Sequence, residues 1–171
     1  MRRLCPLLLC LLILPAVAQI CDAGKEPRSP DSAFVLNNDG TTIHREQNLM
    51  WMRCALGQRW DSGRCTGRAD NLTWDQAMAA ADAQDFADHD DWRLPTLREL
   101  NGILEQTCRS PAINLTVFPG ASTSWVWTAT NYAYDSRMKW SIYFDQGYHD
   151  YTGPYHPSHV RLVRNHGEDT Q

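Results

Sequence analysis

The sequence has no surplus of positive charge. Sixteen lysines and arginines stand against twenty aspartates and glutamates, for a formal charge of −4. A surface that neutralises phosphates needs a basic excess, so nucleic acid is not expected as a partner. Past the first residues no apolar run approaches the ~20 residues that cross a bilayer. The common catalytic signatures are missing as well. There is no G-x-G-x-x-G, no P-loop, no H-E-x-x-H and no G-x-S-x-G. Gly120-Ala121-Ser122-Thr123-Ser124 matches a nucleophile elbow for three positions and then departs. No repeat and no low-complexity tract interrupts the chain. What is present is the balance of an ordinary globular domain, with 43% hydrophobic and 21% charged residues.

Residues 1–18 have the layout of a secretory signal peptide. Arg2 and Arg3 precede an apolar run from Leu4 to Val17, and Ala16-Val17-Ala18 is a small-x-small cleavage site. Cleavage leaves a more acidic chain of about one domain, with no stable membrane insertion expected. Residues 19–32 read as an extended lead-in, 33–165 as the domain, and 166–171 as a tail. The expected location is the periplasm or the cell surface of a bacterium.

Cysteine use agrees with export. Cys21, Cys54, Cys65 and Cys108 remain after cleavage, an even number suited to an oxidising compartment. Cys54 and Cys65 bracket a short polar loop that Gly57 and Gly63 can turn. The expected pairs are Cys54–Cys65 and, by elimination, Cys21–Cys108. A four-cysteine zinc site would need close pairs such as C-x2-C, and the sequence has none.

Strand signals come first. Phe34-Val35-Leu36, Thr41 to His44 and Leu49 to Met52 are short strands, with Asn37-Asn38-Asp39-Gly40 turning the first pair. Thr73-Trp74-Asp75-Gln76 and Thr96-Leu97-Arg98-Glu99 are capping boxes, where a threonine hydroxyl and a Gln or Glu three residues on cap each other's backbone. They predict a helix to about Phe86 and a second to near Thr107. Beyond Pro111 the chain turns aromatic and β-rich: Ser124 to Thr130, Lys139 to Asp145, Tyr148 to Tyr151 and Val160 to Arg164. Trp140, Ile142 and Phe144 alternate onto one face. The order gives an α+β class with a largely antiparallel sheet.

The segment from Tyr148 to His159 is the favoured ligand site. Tyr148, His149, Tyr151, Tyr155 and His156 supply rings with polar edges, which suit a sugar face or a protein surface. The alternative is a metal-assisted hydrolase built from His149, Asp150, His156 and His159. Asp88, His89, Asp90 and Asp91 read as a solvated inter-helix loop. In Asp91-Trp92-Arg93-Leu94-Pro95 a structural role is expected, with Trp92 buried and Arg93 bonded to main-chain carbonyls and an acid.

Several of these segments together resemble the Lcl C-terminal domain family, named after a Legionella collagen-like adhesin and long classed as a domain of unknown function. They are Asp39-Gly40-Thr41 leading to Leu49-Met50-Trp51, Thr73-Trp74 with Ala77, Asp91 to Thr96 with Glu99-Leu100, and Val160-Arg161-Leu162-Val163-Arg164. The resemblance covers about residues 33–165. It implies a C-type-lectin-like fold, with two helices packed on small antiparallel β-sheets. The function expected of such a scaffold here is that of a non-catalytic binding module whose partner is a glycan or a surface protein. No catalytic residue, metal ligand or cofactor is assigned. Self-association, or a place as a structural subunit of a surface assembly, is left open.

Overall fold

The computed structural model describes residues 18–167, so nearly all of the expected signal segment and most of the tail lie outside the described residues. In chain order the strands are β1 (Ile20–Cys21), β2 (Phe34–Leu36), β3 (Thr41–His44), β4 (Leu49–Met52), β5 (Arg59–Asp61) and β6 (Arg64–Thr66). Helices α1 (Trp74–Asp82) and α2 (Leu97–Asn101) follow, then β7 (Cys108–Arg109), β8 (Trp125–Tyr132), β9 (Asp135–Tyr143), β10 (Tyr148–Thr152) and β11 (Val163–Asn165). The result is mostly β with two helices, in small antiparallel sheets. One has the order β11-β4-β3-β2, another β10-β9-β8, and β1-β7 and β5-β6 are two-stranded.

Strand β4 is buried along its whole length and divides two cores. Leu49 and Trp51 face one core with Phe34, Leu100, Ile103, Phe118, Val126 and Ile142. Met50 and Met52 face the other with Ala77, Ala81, Trp92, Leu94, Trp127 and Leu162. A strand buried on both faces carries no polar alternation, which is why Leu-Met-Trp-Met is unbroken. The hairpin before it turns at Gly40, whose φ is +93°. A Cβ there would lie 2.6 Å from Cγ of Trp60, so this turn needs glycine for conformation and for space.

Both capping boxes form as expected, but both helices stop early. Helix α1 ends at Asp82 rather than Phe86. Phe86 turns back to bridge His89, and its carbonyl accepts the indole N–H of the buried Trp92 at 3.1 Å. Ala87 and Asp88 take positive φ to make that turn. Helix α2 ends at Asn101 rather than near Thr107. Gly102 lies against the Gln47 amide so closely that a Cβ would collide with it. Ile103 and Leu104 then bond back to carbonyls three residues earlier, leaving Leu104 to bridge Ile113.

The closing segment is less regular than expected. Only Val163–Asn165 forms a strand, pairing with β4. Arg93 bridges Val163 with hydrogen bonds of 2.9 and 3.0 Å in both directions, so the Trp-Arg-Leu-Pro segment and the closing Val-Arg segment are zipped together. Arg93 itself grips Glu99 through two 2.8 Å bonds, Asn165 at 3.0 Å and the Leu94 carbonyl at 3.4 Å, the acid-and-main-chain role expected of it. The Arg164 side chain is 1% exposed and its Nε meets Asp91 at 2.5 Å.

Both expected disulfides are present: Cys21–Cys108 and Cys54–Cys65. The first sits at a register pair of β1 and β7. The lead-in is held further by Glu105, which accepts the N–H groups of Arg28 at 3.1 Å and Ser29 at 2.8 Å.

Candidate functional site

Sheet β8–β9–β10 positions the candidate site. Residues opposite one another in an antiparallel pair share a face, as do residues two apart along a strand. By register Trp125, Tyr143 and Tyr148 stand on one face. Trp140 and Tyr151 stand on the other, with Ile142 and His149 one pair along. Each face runs from core to surface, and it does so at opposite ends. The face of Trp125 is buried at Trp127 and Ser141, whereas the face of Trp140 is buried at Val126 and Ile142. A twisted sheet wedged between two cores leaves diagonal corners uncovered.

Rings fill both corners. Trp125 stacks on Tyr143 with centroids 5.0 Å apart, and Tyr148 meets both edge-on at 5.5 and 5.4 Å. On the other face Trp140 meets Tyr132, Tyr151 and His149 at 5.6, 5.6 and 5.4 Å. Tyr132 and Tyr151 stack at 3.8 Å. Tyr132 reaches them because the β8–β9 register shifts after Trp127. Such bulges redirect a side chain.

The loop after β10 returns over the first face. The Pro154 carbonyl accepts the Trp74 N–H at 2.8 Å, and Ser158 pairs with Leu72. Between this loop and the sheet lies a hollow of about 160 Å³, lined by Trp125, Ser141, Asp150, Tyr151, Thr152 and His156. Closed sites for drug-sized ligands run from about 300 to 1,000 Å³, so this hollow suits one ring of a larger ligand lying across the surface.

The residues expected from sequence are therefore distributed. Tyr148 lies with Trp125, His149 and Tyr151 lie with Trp140, and His156 lines the hollow. Tyr155 projects into solvent, 82% exposed. Trp125 and Tyr143 on one face, and Tyr132 and Trp140 on the other, belong to the same sheet and were not singled out from sequence. The alternation that placed Trp140 beside Ile142 was correct in phase. It gave no sign that the core ends between them.

The four residues of the hydrolase alternative do not come together. Among the described residues no group of three or more His, Cys, Asp or Glu is placed to hold a metal ion. His159 is buried, and its Nδ1 lies 2.6 Å from Ser122 Oγ. A serine–histidine contact is the elementary nucleophile arrangement. The cavity beside this pair is only about 20 Å³ and admits no acyl substrate.

Local electrostatics keep the aromatic surface nearly neutral. Arg137 holds the Asp135 carboxyl down at about 2 through a side-chain pair and its own N–H. A hydrogen bond with Tyr151 pushes the Tyr132 phenol above its ordinary value. The Lys139 ammonium lies 4.2 Å over the Trp74 ring and donates to Asn131. The assembly offers ring faces, hydroxyls, an imidazole and a carboxylate.

These features define an α+β scaffold whose joints are internal and whose aromatic sheet is exposed at two corners. The model of the Lcl C-terminal domain matches residues 40–164. That span is most of the chain, and the protein belongs to the Lcl C-terminal domain family. No curated protein and no solved structure matches it.

Proposed function

We propose that this protein is a non-catalytic binding module, exported by a bacterium, that holds a glycan against the aromatic surface of β8–β10. The observation that carries this reading is the partly exposed ring cluster of Trp125, Tyr143 and Tyr148 beside a hollow with Ser141, Asp150 and His156 on its wall, with a second ring cluster around Trp140 on the opposite face of the same sheet. The C–H face of a sugar stacks on such rings while its hydroxyls bond to polar edges. Tyr148, His149, Tyr151, Tyr155 and His156 contribute from the C-terminal segment, with Trp125 and Trp140 as platforms. The Lcl C-terminal domain is an adhesin-associated module, which supports the same role.

A C-type-lectin-like scaffold belongs to this reading. Two short helices, small antiparallel sheets and a closing strand returned to β4 support it. Two disulfides favour an oxidising compartment, periplasmic or at the cell surface. No described helix is long and apolar enough to cross a membrane.

A surface protein is the second reading, favoured by the exposure of Tyr134, Tyr148, Tyr151 and Tyr155. A glycan array probed with the wild type and with Trp140→Ala tests the first. Retention of a glycan class that the variant loses supports it. Equal retention by both, or retention of none, overturns it.

A further inference from the structure

Tyr132 and Tyr151 are the one stacked pair of tyrosines among the described residues, with ring centres 3.8 Å apart and planes 11° from parallel. Tyr132 also meets Tyr134, and Tyr143 meets Tyr148, but at 5.5 and 5.4 Å with the planes 57° and 61° apart. Carbon atoms make their best non-bonded contact at about 3.5–4.0 Å, so the stacked rings touch carbon to carbon. The two hydroxyls share a hydrogen bond, so the rings lie head to head. The ortho carbons that flank those hydroxyls, the Cε atoms, are therefore neighbours. Trp140 stands nearly edge-on to both rings at 5.6 Å and helps to hold them in place.

A phenol is oxidised one electron at a time, and the unpaired electron of a phenoxyl radical is shared by the oxygen and the ortho and para carbons. The para carbon carries the side chain, which leaves the ortho carbon as the place where two such radicals join. Tyr151 is 40% exposed and Tyr132 is partly exposed, so an oxidant in solution reaches the pair. Cys21, Cys54, Cys65 and Cys108 are all in disulfides, so none of them is a thiol that would reduce the radicals first. Holding two reacting groups in contact makes their coupling unimolecular and favours it over coupling between chains.

We propose that Tyr132 and Tyr151 are an oxidative cross-linking site, at which hydrogen peroxide, acting through a peroxidase, joins the two side chains as dityrosine. Each phenol gives up one electron and its hydroxyl proton. A Cε–Cε bond forms between the radicals. Each bonded carbon then releases its hydrogen as a proton, while each oxygen takes a proton back. The two electrons, with the two protons left over, reduce one peroxide to two waters. The product ties β8 to β10 across β9 and makes the stack permanent. This chemistry does not depend on what the surface binds.

Treating dilute, disulfide-bonded protein with a peroxidase and hydrogen peroxide tests the site. The expected product is a single chain, two hydrogens lighter, with dityrosine fluorescence. Arg137 and Lys139 lie between the two tyrosines, so trypsin puts them in separate peptides, and the map is expected to recover those peptides joined. Tyr132→Phe and Tyr151→Phe, which keep the ring and lose the phenol, are each expected to lower the yield severalfold. Tyr134→Phe is expected to leave it unchanged. Protein unfolded in urea, where the stack is gone, is expected to give a severalfold lower yield within the chain. Cross-links found only between chains, a map that joins Tyr134 or Tyr155 instead, or equal yields from folded and unfolded protein overturn the proposal.

Discussion

Tyr132 and Tyr151 stack face to face, 3.8 Å apart and 11° from parallel, although β9 runs between their strands. Both rings stand nearly edge-on to Trp140 at 5.6 Å. The three rings therefore fix one another before any ligand arrives, and a preorganised platform loses little entropy on binding. Tyr151→Ala should weaken binding of the array-identified glycan about tenfold, near 1.4 kcal/mol. It also removes a ring pair worth roughly 0.5–1.5 kcal/mol, so Tm should fall by only a few degrees. Tyr155→Ala, at a solvent-facing position, should leave Tm unchanged while still weakening binding. Titration calorimetry beside thermal melts separates the two effects, and undiminished affinity in both variants would remove the segment from the site.

Much of the scaffold was legible because it rests on local rules. The capping boxes, the Asn-Asn-Asp-Gly turn and the alternation around Ile142 are short-range signals, and each formed. Both disulfide pairs were legible from spacing and elimination. What failed was long-range. Nothing local announces that Gln47 packs on Gly102 and ends α2, or that Phe86 must return to meet Trp92. The hairpin β5–β6 reads as polar loop, because it is held by long-range links: the Cys54–Cys65 bridge and Trp60, which donates to the Asn38 carbonyl and lies under Arg53. The site was half legible. The tyrosine segment announced itself by composition, but Trp125, Tyr132 and Trp140 join it only through strand register and a bulge.

The two disulfides should differ in worth. Cys21–Cys108 closes a loop with a sequence separation of 87, and Cys54–Cys65 one with a separation of 11. In the chain-entropy model these lengths correspond to about 4.6 and about 2.8 kcal/mol. Replacing Cys21 and Cys108 together by serine should lower stability to urea more than the Cys54/Cys65 double replacement does. Peptide mapping without reduction should recover both links.

Glu105 makes the lead-in sensitive to acid. Burial opposes its ionisation. The Thr107 hydroxyl and the N–H groups of Ser29, Arg28 and Thr107 outweigh that cost and hold the carboxyl below the usual glutamate range. A lowered folded pKa means the contribution is complete above the unfolded value of about 4.3 and is lost as pH falls through the folded one. Cleavage by an acid-tolerant protease within residues 22–30 should accelerate below about pH 4. In Glu105→Gln it should already be fast at neutral pH, with a stability loss of about 1–3 kcal/mol.

Arg93 and Glu99 form an ion pair beside the bridge that joins the Trp-Arg-Leu-Pro segment to β11. Glu99 does two jobs with one carboxylate. It completes the helix cap by accepting the Thr96 N–H at 2.7 Å, and it receives both arms of Arg93 at 2.8 Å. Arg93 also donates to Asn165, at the end of β11. Burial works against the charge on Glu99, but the bonds from Arg93 and Thr96 prevail and lower its pKa. The Arg93 side chain is 36% exposed, so solvent screens part of the ion pair. Glu99→Gln keeps an acceptor for the cap and loses only the charge, and should cost well under half of what Glu99→Ala costs. Glu99→Ala gives up cap and pair together, about 2 kcal/mol, or several degrees in Tm. Hydrogen exchange adds a sharper readout. In Glu99→Ala the protection of the Val163 and Arg93 amides, which bond to each other's carbonyls, should drop along with that of α2. Unchanged protection at Val163 would mean that the bridge between the segments stands without the Arg93–Glu99 pair.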